Sequence, residues 1–137
     1  MITAIFTDVR VHLVVPQDSA VPLWMTLRYE SADPYALRAV FRTSEENTVE
    51  WVFARELLAE GLHQPAGEGD IHVWPTLEPP RKAVRIALVS HAGTALIEAP
   101  ARQVATFLRR TDAAVPPGTE HEHLDMDGEL ALIFADG

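Results

Sequence analysis

Apolar and polar residues alternate one for one through the first half of the chain. In "VRVHLVV", Val9, Val11, Leu13 and Val15 share one face while Arg10 and His12 lie opposite. "LWMTLRY" repeats the pattern, with Leu23, Met25, Leu27 and Tyr29 against Trp24, Thr26 and Arg28. In "YALRAVF", Tyr35, Leu37, Ala39 and Phe41 alternate with Arg38 and Arg42; in "TVEWVFA", Val49, Trp51 and Phe53 face away from Glu50. Period-two patterning of this kind marks strands with one buried face, and four in succession predict an antiparallel meander. "PQDSAVP", "SADP" and "TSEEN" separate them with the Pro, Asp, Asn and Ser that turns favour.

The period then changes. "ARELLAEGL" sets Leu57, Leu58 and Leu62 on one side of a helix, with Gly61 placed for a left-handed C-cap. "HQPAGEG" reads as a loop. Three further strands follow, "DIHVWP", "AVRIALVS" and "TALIEA", the last two joined through the tight turn "SHAG". From Pro100 the spacing is helical again, with Val104, Phe107 and Leu108 as the apolar stripe. Pro100 suits the first turn, and Arg109 and Arg110 suit the negative end of the helix dipole. "DAAVPPG" stops that helix. The closing "DMDGELALIF" places Met126, Leu130, Ile133 and Phe134 on one face of a short helix, with Asp125 as its N-cap. The predicted architecture is one α+β domain over residues 1–137. It has two antiparallel β-sheets, of four and three strands, a helix after each, and a short C-terminal helix. The two strand groups have the form of a duplication, but no sequence identity between the halves is visible.

Length and composition fit this picture. A chain of 137 residues, 47% hydrophobic and 23% charged, can bury a sizeable core in one domain. It contains no cysteine, which removes disulfides, thiol nucleophiles and zinc-thiolate sites and fits a reducing cytosol. "MITAIFTDVRVHLVV" has neither a basic leader nor a small-residue cleavage site, and no apolar run reaches the roughly 20 residues of a spanning helix. No membrane insertion is expected. Asp and Glu outnumber Lys and Arg by 20 to 11, for a net charge of −9. The cations are scattered, with small groups only at Arg81-Lys82-Arg85 and Arg109-Arg110. Phosphate backbones are repelled by such a surface, so the expected partner is a protein or small molecule rather than nucleic acid.

The candidate chemistry is thin. In "TEHEHLDMDGEL", His121, His123, Asp125 and Asp127 would share one face if extended, as metal ligands can. A helix start at Asp125 breaks that alternation, and two histidines still need ligands from elsewhere. Aligning Gly128 with the invariant glycine of a calcium loop puts His123 at the first ligand position and Phe134 where the bidentate glutamate belongs. Ser90 and His91 are chain neighbours, which rarely gives the geometry of a nucleophile and its base. "GEGD" lacks the continuation of a dinucleotide fingerprint, and Glu45-Glu46 reads as solvated turn charge. No catalytic, cofactor-binding or metal-ligating residue is assigned, and no enzyme activity is expected. The tryptophans carry more. Trp51 falls on the core face of its strand, but Trp24 and Trp74 oppose the apolar residues around them, as Leu96 does in "TALIEA". A large apolar side chain on a polar strand face packs under a helix, is buried in an oligomer, or marks a binding patch. Trp24, Trp74 and Leu96 are the candidate residues for partner or oligomer contact.

"ADPYALRAVF", "VEWVFARELLAEGL", "GDIHVWP" and "EAPARQVATFLRRTDAAVPPGTEHEHLDMDGEL" together resemble the SsgA-like proteins of sporulating actinomycetes, and within them the SsgB type. The likeness runs from the first strand to the last helix; "TLEPPRK" and "PQDSAVP" depart from the family pattern. It implies a cytoplasmic protein at division septa, a non-enzymatic adaptor that marks septum sites and recruits the tubulin-like GTPase FtsZ during sporulation, itself positioned by an SsgA-type relative. It also implies a homotrimer with a fold akin to the whirly single-strand nucleic-acid binders, and no catalytic set. Two other readings remain at this point. The whirly kinship suggests a single-stranded nucleic-acid binder, which would need stacking aromatics and a basic groove. A metal-dependent hydrolase would be centred on His121 and His123.

Overall fold

The computed structural model describes residues 2–15, 19–76 and 82–124. The alternation seen in the sequence becomes the in-and-out pattern of long strands. β1 (Ala4–Val15) pairs along its whole length with β2 (Ser19–Glu30), from Ala4 opposite Glu30 to Val15 opposite Ser19. β3 (Ala36–Arg42) follows through the "SADP" turn and β4 (Thr48–Ala54) through "TSEEN", where the Thr43 amide donates to the Asn47 carbonyl at 3.0 Å. Val9, Val11, Met25, Leu27, Tyr29, Leu37 and Ala39 are almost wholly buried, all on the face the periodicity assigns to the core.

The second group begins with a strand that the pattern does not announce. β5 (Ala66–Glu68) lies inside "HQPAGEG", which reads as loop because three residues of Ala-Gly-Glu carry no alternation. It is held by β6 (Ile71–Thr76), with Gly67 opposite His72. β7 (Ala83–Ser90) and β8 (Gly93–Pro100) form the expected hairpin, where Ser90 pairs with Gly93. Gly93 sits at φ 127°, a conformation that disfavours any side chain.

The two groups are not separate sheets of four and three strands. They form one eight-stranded antiparallel sheet in the order β4-β3-β2-β1-β8-β7-β6-β5. The join is short: His12, Leu13 and Val14 of β1 lie opposite Glu98, Ile97 and Leu96 of β8. The sheet curls until its two ends approach, so that Trp51 and Phe53 of β4 and Glu68 and Ile71 from the far end line one hollow. Nothing local in the sequence marks the β1–β8 join, because its partners lie more than 80 residues apart.

Helix α1 (Arg55–Gly61) links the two ends and buries Leu57 and Leu58. Gly61 is its last residue, not a left-handed cap beyond it. Its glycine identity answers to packing: a Cβ there would lie 2.2 Å from Cγ1 of Val73. Helix α2 (Ala101–Ala114) starts after Pro100, as expected, and buries Val104, Phe107, Leu108 and Thr111. It runs a turn further than the apolar stripe suggests, so Arg109 and Arg110 fall short of its last turn, which holds no basic residue. A 3-10 turn follows at Glu120–His123. The C-terminal helix expected over Met126–Phe134, with its Asp125 cap, lies outside the described residues.

Candidate functional site

Both helices pack on the core face of the sheet toward one end. At the other end this face stays open. Leu13, Leu23, Phe41, Trp51, Leu88 and Ile97 line a groove of about 440 Å³. Val21 and Val49 stand at its rim, 47% and 45% exposed; Glu45 of the β3–β4 turn borders it, and Arg10, Arg42 and Trp24, which belong to the other face of their strands, reach its edge. An apolar floor of this kind binds apolar side chains by excluding water. It presents no converging set of titratable groups to orient a small polar substrate. Trp51, expected in the core, is half-buried and packs against the core from this groove.

The opposite, outer face carries all three candidate contact residues. Trp24 is 43% exposed, and the guanidinium of Arg10, its partner on β1, lies 5.2 Å from its ring centroid. Trp74 is half-buried and pairs with Arg85, which is bonded in turn to Glu98 at 3.2 Å. Leu96, also half-buried, lies between Ala87 and Val14. Because α1 and α2 lie against the core face, packing under them is not what places these side chains. The three share a face without touching as one patch. Leu96 is two strands and four residues of register from Trp24, about 16 Å at ordinary strand spacings.

A second feature was not legible as a site. Arg55, the first residue of α1, has a side chain only 5% exposed. Its Nη1 donates to the carbonyls of Thr111 and Val115 at 3.2 and 2.8 Å, so a cation from α1 caps the C-terminus of α2. Carboxylates of Asp112 and Glu120 stand 3.5 and 3.4 Å from the guanidinium, which also lies 5.0 Å from the Tyr29 ring centroid. Arg55 Nη2 is buried without a hydrogen bond. Burial pushes the Tyr29 phenol up, against the opposing pull of the Arg55 charge, and the phenol donates to the Pro34 carbonyl at 2.9 Å. Glu120 is held below the ordinary carboxylate range by hydrogen bonds from its own amide and that of Gly118, reinforced by Arg55. The sequence signal for Arg55 is its position. A cation at a helix N-terminus opposes the dipole unless it is committed elsewhere.

The cluster therefore fastens "TEHEH" to the body of the protein by Glu120 rather than through its histidines. The 3-10 turn rotates His121 and His123 away from the shared face of an extended strand. Among the described residues no group of three or more His, Asp or Glu is arranged to hold a metal ion. No described helix is long and apolar enough to cross a membrane.

Known proteins match this chain in family and in fold. The family model for the Streptomyces sporulation and cell division protein SsgA matches residues 23–120. The sporulation-specific cell division protein SsgB of Streptomyces coelicolor is 55% identical over 136 residues, 99% of each chain. The SsgB of Frankia casuarinae is 46% identical over 98% of this chain and 94% of its own. A solved structure of SsgB, studied for longitudinal cell division during sporulation of S. coelicolor, superposes with a TM-score of 0.87 at 56% identity. It covers 90% of this chain and 98% of its own. The crystal structure of an SsgA-like sporulation-specific cell division protein from Thermobifida fusca gives a TM-score of 0.87 at 42% identity, covering 94% of both chains.

Proposed function

Because the chain belongs to the SsgA family of Streptomyces sporulation and cell division proteins, we propose that it is a non-enzymatic adaptor of sporulation septation. It marks the septum site in the cytoplasm and recruits the tubulin-like FtsZ. The observation that carries the reading is likeness over the whole length, 55% identity across 99% of a chain named for sporulation-specific cell division. The surface supports it. An adaptor needs an exposed apolar anchor on a rigid element, and Trp24 supplies one in the middle of a long paired strand. A homotrimer would present three such anchors to a filament that is itself multivalent, so modest affinity per copy suffices. Trp24, Trp74 and Leu96 are the residues assigned to partner or self contact, and an SsgA-type relative is the upstream partner.

Co-sedimentation with GTP-assembled FtsZ tests this, with oligomer mass measured in parallel. The wild type pellets with the polymer. Trp24→Ala keeps the fold and loses about 10-fold or more in polymer binding, in trimer stability, or in both. A wild type that stays in the supernatant overturns the recruitment reading. Unchanged pelleting and unchanged mass in the variant remove Trp24 from the contact set.

A further inference from the structure

We propose that the uncovered edge of β1 is a docking site for an extended acidic segment of a partner protein, which adds to the sheet as a further strand and is held by the arginines of α2. The edge follows from the register. The Ser31 amide donates to the Thr3 carbonyl at 2.8 Å, and the β1–β2 ladder continues from there without interruption. Bonded pairs alternate along an antiparallel ladder, so the odd residues of β1 bond to β2 and the even ones aim N–H and C=O the other way. On that side β8 lies opposite only His12, Leu13 and Val14. After Pro100 the chain leaves the sheet and becomes α2. Among the described residues no strand therefore pairs with Ala4, Phe6 and Asp8, and their backbone groups have no backbone partner on that side. A strand edge of this kind accepts an extended peptide through main-chain hydrogen bonds. The Phe6 carbonyl meets only Nη1 of Arg110, at 3.5 Å, long enough to yield to a peptide amide.

Charge selects the occupant. Arg102, Arg109 and Arg110 are all exposed on α2, and none has a carboxylate partner among the described residues. Asp112, the single acid of that helix, faces Arg55. Three of the 11 basic residues thus gather on one helix of a chain with net charge −9. Arg102 and Arg110 flank a hollow of about 230 Å³ between α2 and Thr7 of β1. Asp8 lies on the edge itself, but its carboxylate accepts from the Thr26 hydroxyl across on β2. A strand added here alternates its side chains between the two faces. Those on the inner face meet Arg102 and Arg110, and those on the outer face lie beside Phe6, which is 65% exposed. The segment recognised alternates acidic with apolar residues.

Other occupants fit less well. Two copies pairing through their β1 edges would bring two sets of α2 arginines together, like charge against like. The β4 edge of a second copy offers Glu50, which is already bonded to Arg38 at 2.7 Å. A phosphate chain would satisfy the arginines but, carrying acceptors only, would leave the edge carbonyls without donors.

Amide exchange, read residue by residue in the full-length protein, tests the proposal. In the free chain Phe6 and Asp8 exchange at least about 10-fold faster than Thr7 and Val9, whose amides bond to β2. A capped peptide alternating Glu and Val slows Phe6 and Asp8 by about 10-fold or more, and one alternating Lys and Val does not. Arg102→Glu combined with Arg110→Glu abolishes the slowing while Thr7 and Val9 stay protected, which shows the ladder intact. Arg102→Gln with Arg110→Gln gives a loss of the same direction without a new charge. Phe6 and Asp8 already protected in the free chain would mean that the edge is covered by the chain itself or by a second copy, and overturns the proposal. So do the absence of slowing at millimolar Glu–Val peptide, equal slowing by both peptides, and slowing that survives both double variants. Oligo(dT) that displaces the acidic peptide and protects the same amides assigns the edge to nucleic acid and overturns it as well. No FtsZ is present in these measurements, so this inference and the recruitment reading fail separately.

Discussion

Arg55 ties distant segments of the chain together through one side chain. Its guanidinium joins the start of α1 to the last carbonyls of α2, to Glu120 and to the Tyr29 ring. Removing one partner from a buried, hydrogen-bonded charge cluster typically costs about 3–5 kcal/mol. Arg55→Ala is expected to lower unfolding free energy by that order in urea titration, with faster amide exchange over 116–124; an unchanged midpoint contradicts the role. Glu120 makes the same cluster pH-sensitive. Its folded pKa is depressed, so its stabilisation is complete above the ordinary glutamate value of about 4.3 and is lost as pH falls through the lower folded value. Glu120→Gln is therefore less stable than wild type at pH 7, and the two stability curves converge as pH falls below the depressed folded value. Parallel curves over that range would exclude Glu120 as the titrating group. Of this cluster only the oddity of an arginine opening a helix was visible beforehand, because its partners come from three distant segments.

Among the elements, strands were the most legible and helix ends the least. Alternation located β1 to β4, which bury one face, whereas β6 to β8 were legible as strand-like runs between turn residues, β7 being buried on both faces. β5 escaped because its pairing partner, rather than its own residues, makes it a strand. Gly61 misled for a related reason. A glycine near a helix end suggests a cap, whereas here Val73 of β6 presses on the helix and leaves no room for a Cβ. The two explanations predict opposite signs. Were Gly61 an unconstrained helical position, Gly61→Ala would stabilise by up to about 1 kcal/mol. Overpacking against Val73 predicts a loss of about 1–3 kcal/mol, read from the shift in denaturation midpoint.

On the scale of the whole molecule, the strand order sets the surfaces available for function. Had the strands formed two independent sheets, each would have needed its own cover. Joined through His12, Leu13 and Val14, they form a single curled wall. Its outer face displays Trp24, Trp74 and Leu96, and its inner face is divided between a helix-covered core and an open groove. The sequence on its own determined seven of the eight strands, which side chains of the first four share a face, the β7–β8 hairpin and the family, since periodicity, turn chemistry and motif likeness are written in neighbouring residues. Only the tertiary structure decided that the strands make one sheet, that Arg55 closes on the end of α2, and that an apolar groove is left open. Each of those depends on residues brought together from far apart in the chain, where the free energy lies in packing and pairing rather than in any local preference.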